Sequence, residues 1–182
     1  MPLPPARPDA DGAAWRAGRW EILRLVDGLG KPVDPGIRRV VVALRVHGFL
    51  TSGSCQGHAD RGLEPWIDVT ARPYGAQGER EKWIRLNHEH QARFLRLLEG
   101  FDTNRDTQPE LVLAPKGVFG GFRLQSAWVA PMGSPRRPAQ PDAIAAFLEE
   151  MDEFAAYLES LPIDSDVAPV VGTLRPHQPR PA

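Results

Sequence analysis

Apolar residues fall at two different spacings along this chain, and the switches between them mark out the elements. Trp15, Ile22, Leu25, Val26 and Leu29 share one helical face, which predicts a helix over about Ala13–Asp27, ended by Gly28 and Gly30 with Pro32 beyond. Asp34-Pro35 is a helix start, an N-cap followed by proline in the first turn. The second helix has Ile37, Val40, Val41 and Leu44 as its core face and stops at Gly48. Phe49 to Ser52 predicts a strand. Residues 65 to 70 alternate, with Ile67 and Val69 on one side and Trp66, Asp68 and Thr70 on the other, the pattern of a half-buried strand. A long helix follows over about Gln77–Gly100, with Trp83, Phe94, Leu97, Leu98 and Phe101 inward. Lys82, Arg85, Glu89, Arg93 and Arg96 lie opposite. Glu110–Ala114 and Val118–Val129 predict a hairpin turning at Pro115-Lys116-Gly117. The last helix runs from Pro141 to Leu161, with Ile144, Phe147, Leu148, Met151, Phe154, Ala155 and Leu158 as its stripe. The order ααββαββα predicts an α+β fold: one domain, a mixed or antiparallel sheet, and helices on at least one face.

Both ends are proline-rich and lack a sustained apolar period, so residues 1–11 and 163–182 are expected to be tails around a domain of residues 12–162. With 42% hydrophobic residues the domain can bury a core. A net charge of −1 gives no global attraction to nucleic acid, which leaves only a local basic patch for that class of partner. A single cysteine cannot form an internal disulfide and suits a reducing compartment. There is no apolar run of ~20 residues and no apolar segment near the N-terminus of the kind a secretion signal needs. The expectation is a soluble cytoplasmic protein without a membrane partner.

Two polar residues of the long helix, Asn87 and His90, fall inside its apolar stripe. Buried polar groups need partners. They either bond backbone groups at a sheet edge or line a pocket. His88 lies about 200° around the helix from His90, so the two cannot chelate one ion.

The chemistry concentrates in the stretch TSGSCQGHADRG, residues 51–62, which contains the lone Cys55. Four readings compete. Cys55 and Arg61 have the C-x5-R spacing of a cysteine phosphatase, but that loop must feed a helix, and here a strand follows. Cys55-x-x-His58 is half of a zinc motif, which Asp60, Asp68 or His90 could complete in space. A purely structural reading makes Gly53, Gly57 and Gly62 turn residues and Cys55 a small buried hydrophobe. In the fourth, the glycines let backbone N–H groups converge on a ligand. Ser52, Ser54, Cys55, Gly57 and Arg61 then form the binding loop, and His90 and Arg123 form the wall. No metal ligand is assigned.

Asp34, the Val40-Val41 helix, Ser54-Cys55-Gln56-Gly57 and the Glu64-Pro65-Trp66-Ile67 strand occur in an order that resembles the wybutosine-synthesis tRNA methyltransferase family. Phe122-Arg123-Leu124-Gln125-Ser126 falls where that family has its last strand. His58 stands where the family has arginine. The loop also resembles uncharacterised bacterial and phage proteins with a Ser-Cys-x-Gly-His string. The cofactor stays unassigned: the resemblance points to S-adenosylmethionine, and the half zinc motif offers zinc as the weaker alternative. His58 and Asp68 would then be the catalytic proton acceptors. The resulting expectation is a pocket for a nucleotide-like or other anionic small molecule at this loop, with methyl transfer as one version. The alternative is a non-enzymatic interaction or accessory protein of a bacterium or mobile element. In that case the loop is structural, and the tails, Trp20 and Trp128 make the contacts.

Overall fold

The computed structural model of the chain describes residues 9–26, 30–71, 80–103, 105, 111–127 and 140–164. Helix α1 (Asp9–Arg24) comes first, then one 3-10 turn (Pro35–Ile37) leading directly into α2 (Arg38–Val46). Strands β1 (Leu50–Cys55) and β2 (Trp66–Thr70) follow, then α3 (Arg80–Thr103). Strands β3 (Leu111–Lys116) and β4 (Gly121–Ser126) and helix α4 (Pro141–Ser160) complete the order ααββαββα of an α+β domain. The sheet is antiparallel, in the order β1-β2-β4-β3. It is two hairpins joined through their inner strands, with α3 connecting them.

Strand alternation sorts the side chains. Ile67, Val69, Phe122 and Leu124 point into the core. Phe94 of α3 makes inclined ring contacts with Phe49, Phe122 and Phe154, at centroid distances of 5.0, 5.4 and 5.9 Å. The other face carries Trp66, Asp68, Lys116, Arg123 and Gln125. Helix α2 is buried from Val40 to Val46, because α1 and α4 flank it and β1 lies against it. The charged residue of that buried stretch, Arg45, is 1% exposed and donates to Glu21 of α1 at 2.8 Å. Burial lowers the Arg45 pKa and Glu21 pulls it back up. Arg105 donates to Glu150 at 2.5 Å and lies over Phe101, tying the end of α3 to α4.

Several boundaries differ from expectation. Helix α1 starts at Asp9, inside the expected tail, and ends at Arg24. Val26 then pairs its backbone with Pro32 and is exposed rather than in the core. Leu29 and Trp128 lie outside the described residues. The hairpin turns at residues 117–120, because Gly117 and Gly120 supply the positive φ angles of 66° and 76°, while Pro115 and Lys116 remain in β3. Arg93 is not on a solvated face. Its guanidinium lies 4.1 Å from the Phe49 ring and donates to the His47 carbonyl at 2.7 Å, with its aliphatic stem half-buried. Ile163, expected in the tail, packs against the core. Among the described residues no helix is long and apolar enough to cross a membrane.

Candidate functional site

The sequence that looked like a free loop is strand as far as Cys55. A bulge between Thr51 and Gly53 makes Ser52 the extra residue and turns it outward, exposed. After Cys55 the chain reverses within a small frame. Gly57 has φ of 85°, and a Cβ there would sit 2.8 Å from Pro65 Cδ and 3.0 Å from the Leu63 carbonyl, so only glycine fits. The His58 N–H donates to the Leu63 carbonyl at 2.7 Å, and the Leu63 N–H returns to the His58 carbonyl at 3.0 Å. One 3-10 turn, Ala59–Arg61, lies between them and closes on Gly62 in the left-handed region. The backbone of His58 is therefore clamped while its side chain is half-exposed.

This frame delivers Cys55 and His58 to a third residue from a different segment. Asp34 precedes the 3-10 turn before α2. Its carboxylate makes no helix-capping bond. Instead its Oδ2 accepts the Gln56 N–H at 3.0 Å, and the Gln56 side chain accepts the Gly36 N–H at 2.9 Å. The two segments are stitched together in both directions. Asp34, Cys55 and His58 each offer one ligand atom, and these atoms lie within 4.8 Å of one another. Cys55 Sγ also accepts the Gly57 N–H at 3.4 Å.

Asp68, expected beside His58, belongs to a separate cluster. Antiparallel pairing sets it opposite Arg123. Arg123 Nε and Nη2 donate to Asp68 Oδ1 and Oδ2 at 2.7 and 3.1 Å, and Lys116 donates to Oδ2 as well. Arg123 lies 4.0 Å over the Trp66 ring. Lys116 Nζ lies 5.8 Å from the same ring, and Gly53 is packed against it so closely that an added Cβ would come within 3.3 Å of the indole. Asp68 is 2% exposed. Burial pushes the Lys116 and Arg123 pKa values down; Arg123 also lowers Lys116, whereas Cys55 raises Arg123.

The remaining expected site residues are dispersed. Ser54 pairs with Ile67 in the β1–β2 ladder. Arg61 is a surface residue whose nearest acid is its neighbour Asp60, at 3.8 Å. The loop runs into β2 rather than a helix, so the phosphate-cradle geometry is not built. His90 stands edge-on to Phe49 at 5.8 Å, and its Nδ1 is buried with no hydrogen-bond partner among the described residues. Burial lowers its pKa, and Arg93 lowers it further. Asn87 follows the backbone reading: it accepts the Ala71 N–H at 2.7 Å and donates to the Phe119 carbonyl at 2.8 Å.

Sequence reasoning missed two residues of this end of the sheet. Asp34 looked like a helix cap, and no local spacing links it to Cys55. The other is Glu64. It lines a cavity of about 220 Å³ with Pro65, Ser126, Gln140, Ala143, Ile144, Ala146 and Phe147. Glu64 Oε2 is buried and has no hydrogen-bond partner among the described residues. Pro65, which packs on Gly57, is the common wall between this cavity and the Cys55–His58 frame. Comparison with protein-family models, curated proteins and solved structures gives no match.

Proposed function

We propose that the protein binds a small heterocyclic molecule of nucleobase or nucleoside size in the cavity behind the Cys55–His58 loop. The observation that carries this reading is the Glu64 carboxylate oxygen, buried without a partner in a residue that lines the cavity. An unmatched buried acceptor costs about 1–3 kcal/mol, and a ligand N–H would remove that cost. Ser126 and Gln140 add polar groups to the lining, while Pro65, Ile144 and Phe147 supply apolar surface. Such a lining, apolar with a few polar groups, is the usual composition of a ligand site.

The reading keeps the nucleotide-like part of the expectation and changes its polarity. A carboxylate repels an anion, so the favoured ligand presents adjacent N–H donors to Glu64 rather than a phosphate to Arg123, whose charge is already engaged by Asp68. The volume favours a base or nucleoside over a ligand as large as S-adenosylmethionine. Titrating the four common nucleosides into labelled protein and following amide shifts tests it. Shifts should appear at Glu64, Ser126 and Phe147, and Glu64→Gln should weaken binding about tenfold or more. If no nucleoside moves these resonances, the proposal fails.

A second reading rests on a different surface. Trp20 and Leu23 lie one turn apart at the end of α1, are 62% and 56% exposed, and continue into exposed Val26. Adjacent large apolar side chains left in water mark contact surfaces. This favours an interaction role, in which Trp20→Ser with Leu23→Ser abolishes association with another protein copy in sedimentation and leaves nucleoside shifts unchanged.

A further inference from the structure

We propose that Asp34, Cys55 and His58 form a site for one zinc-type transition-metal ion with an open fourth position. The site adjoins the cavity but does not depend on the cavity's ligand.

The donor set comes first. A cysteine sulfur, an imidazole nitrogen and a carboxylate oxygen lie within 4.8 Å of one another. Sulfur and imidazole select zinc and its neighbours over magnesium or calcium, which take oxygen shells. One thiolate and one carboxylate balance a divalent charge. On a tetrahedral ion, ligands at about 2.0–2.3 Å stand roughly 3.3–3.8 Å from each other, so the trio closes by about 1 Å of side-chain rotation. Asp34 and His58 are partly exposed, and the one bond to Asp34, from the Gln56 N–H, is to a single oxygen.

Backbone preorganisation is the independent observation. The Gly57 N–H points at Cys55 Sγ, the arrangement that supports a metal-bound thiolate two residues earlier. The Gln56 N–H occupies only Oδ2 of Asp34, leaving Oδ1 for the ion. Gly57 holds the turn that brings His58 back beside Cys55, and any side chain there would collide with Pro65 and the Leu63 carbonyl. The His58–Leu63 pair of backbone bonds then fixes the histidine. A role for Cys55 as a buried hydrophobe accounts for its burial alone. It does not account for a carboxylate and an imidazole brought within 4.8 Å of its sulfur. Three protein ligands with half-exposed His58 leave a fourth position to water or a small molecule, the arrangement of a reactive rather than a closed structural zinc site.

The test uses the full chain, tag-free and stripped by chelator, titrated with Co²⁺ as a coloured zinc substitute. One equivalent should bind with a near-ultraviolet thiolate-to-cobalt band and tetrahedral visible bands, and Zn²⁺ should displace it. Cys55→Ser should abolish the near-ultraviolet band. Asp34→Asn and His58→Ala should each weaken binding by more than the roughly 10–100-fold typical of outer-shell partners. Asp60→Asn, an exposed acid of the same loop, should change nothing. Binding without the thiolate band, or unchanged affinity in both Asp34→Asn and His58→Ala, overturns the proposal. Should a variant fail to fold, the unaltered chain still decides: Zn²⁺ must slow alkylation of Cys55 at least tenfold, and an unchanged alkylation rate overturns the site. The nucleoside titration is run with chelator present, so either proposal can fail while the other stands.

Discussion

Two polar clusters sit one strand apart in this sheet, and they differ in how completely their groups are matched. Around Asp68, both carboxylate oxygens are taken by Arg123 and Lys116, and the guanidinium is further covered by stacking on Trp66. Around Cys55, backbone bonds at Gln56, His58, Gly62 and Leu63 hold the turn, yet no hydrogen bond joins the three side chains: an Asp34 carboxylate oxygen, the Cys55 sulfur and a His58 ring nitrogen stand within 4.8 Å of one another. Next door, Glu64 Oε2 is buried and unmatched among the described residues. A saturated cluster stabilises the fold. A rigid frame around unsatisfied donors has stability to spare for a ligand.

The sharpest way to break this comparison is to remove Asp68. Asp68→Ala leaves two cations on a partly buried sheet face and should cost about 2–3 kcal/mol, less than a fully buried pair because Lys116 and Arg123 keep some contact with solvent. Urea denaturation reads this directly, and a loss below about 0.5 kcal/mol would show that the cluster is not a stabilising one. Gly57→Ala comes next. It forces a side chain into left-handed backbone against Pro65 and Leu63, and should cost about 2 kcal/mol while displacing His58. Without metal, Cys55→Ala should cost about 1 kcal/mol or less, since the sulfur supports little of the apo fold. Adding Zn²⁺ should then widen the difference in melting temperature, because only the unaltered chain is stabilised by mass action. Equal shifts in both chains would remove the contrast between the clusters.

The smallest effect concerns His90, outside both clusters. Its folded-state pKa lies below the ordinary value of 6.5 through burial and the nearby Arg93. The unfolded chain therefore takes up a proton first as the pH falls. The contribution is full above about 6.5 and is lost on going below it. Melting temperature should decline from pH 7.5 to 5.5, and His90→Gln should make that decline shallower.

Much of the fold was readable because it follows from local periodicity. The order of all eight elements, the two strand faces and most of the α4 stripe came from spacing alone. The chemistry was readable only in part. Cys55, Gly57 and His58 stand in one short string, so their kinship was visible. Asp34 is 21 residues away from Cys55 and carries the signature of a helix cap. It becomes a partner of Cys55 only because α2 lies against β1. Asp68 and Arg123 both drew attention, but their pairing depends on the β2–β4 register, which links positions 55 residues apart. Arg93 was grouped with the face opposite the apolar stripe, although its stem and planar head suited a place over Phe49.

The strand order leaves β1 and β3 at the two rims of the sheet, each carrying a feature that discourages another strand from pairing there. On β1 the bulge at Ser52 breaks the even spacing of N–H and C=O groups that a newcomer would need. On β3 Pro115 has no N–H to offer and stiffens the strand beside the turn. Both are recognised safeguards against edge-to-edge polymerisation. Should the protein aggregate when overproduced, straightening the bulge by deleting Ser52 together with Pro115→Val ought to accelerate fibril formation, followed by dye fluorescence, far more than either change alone.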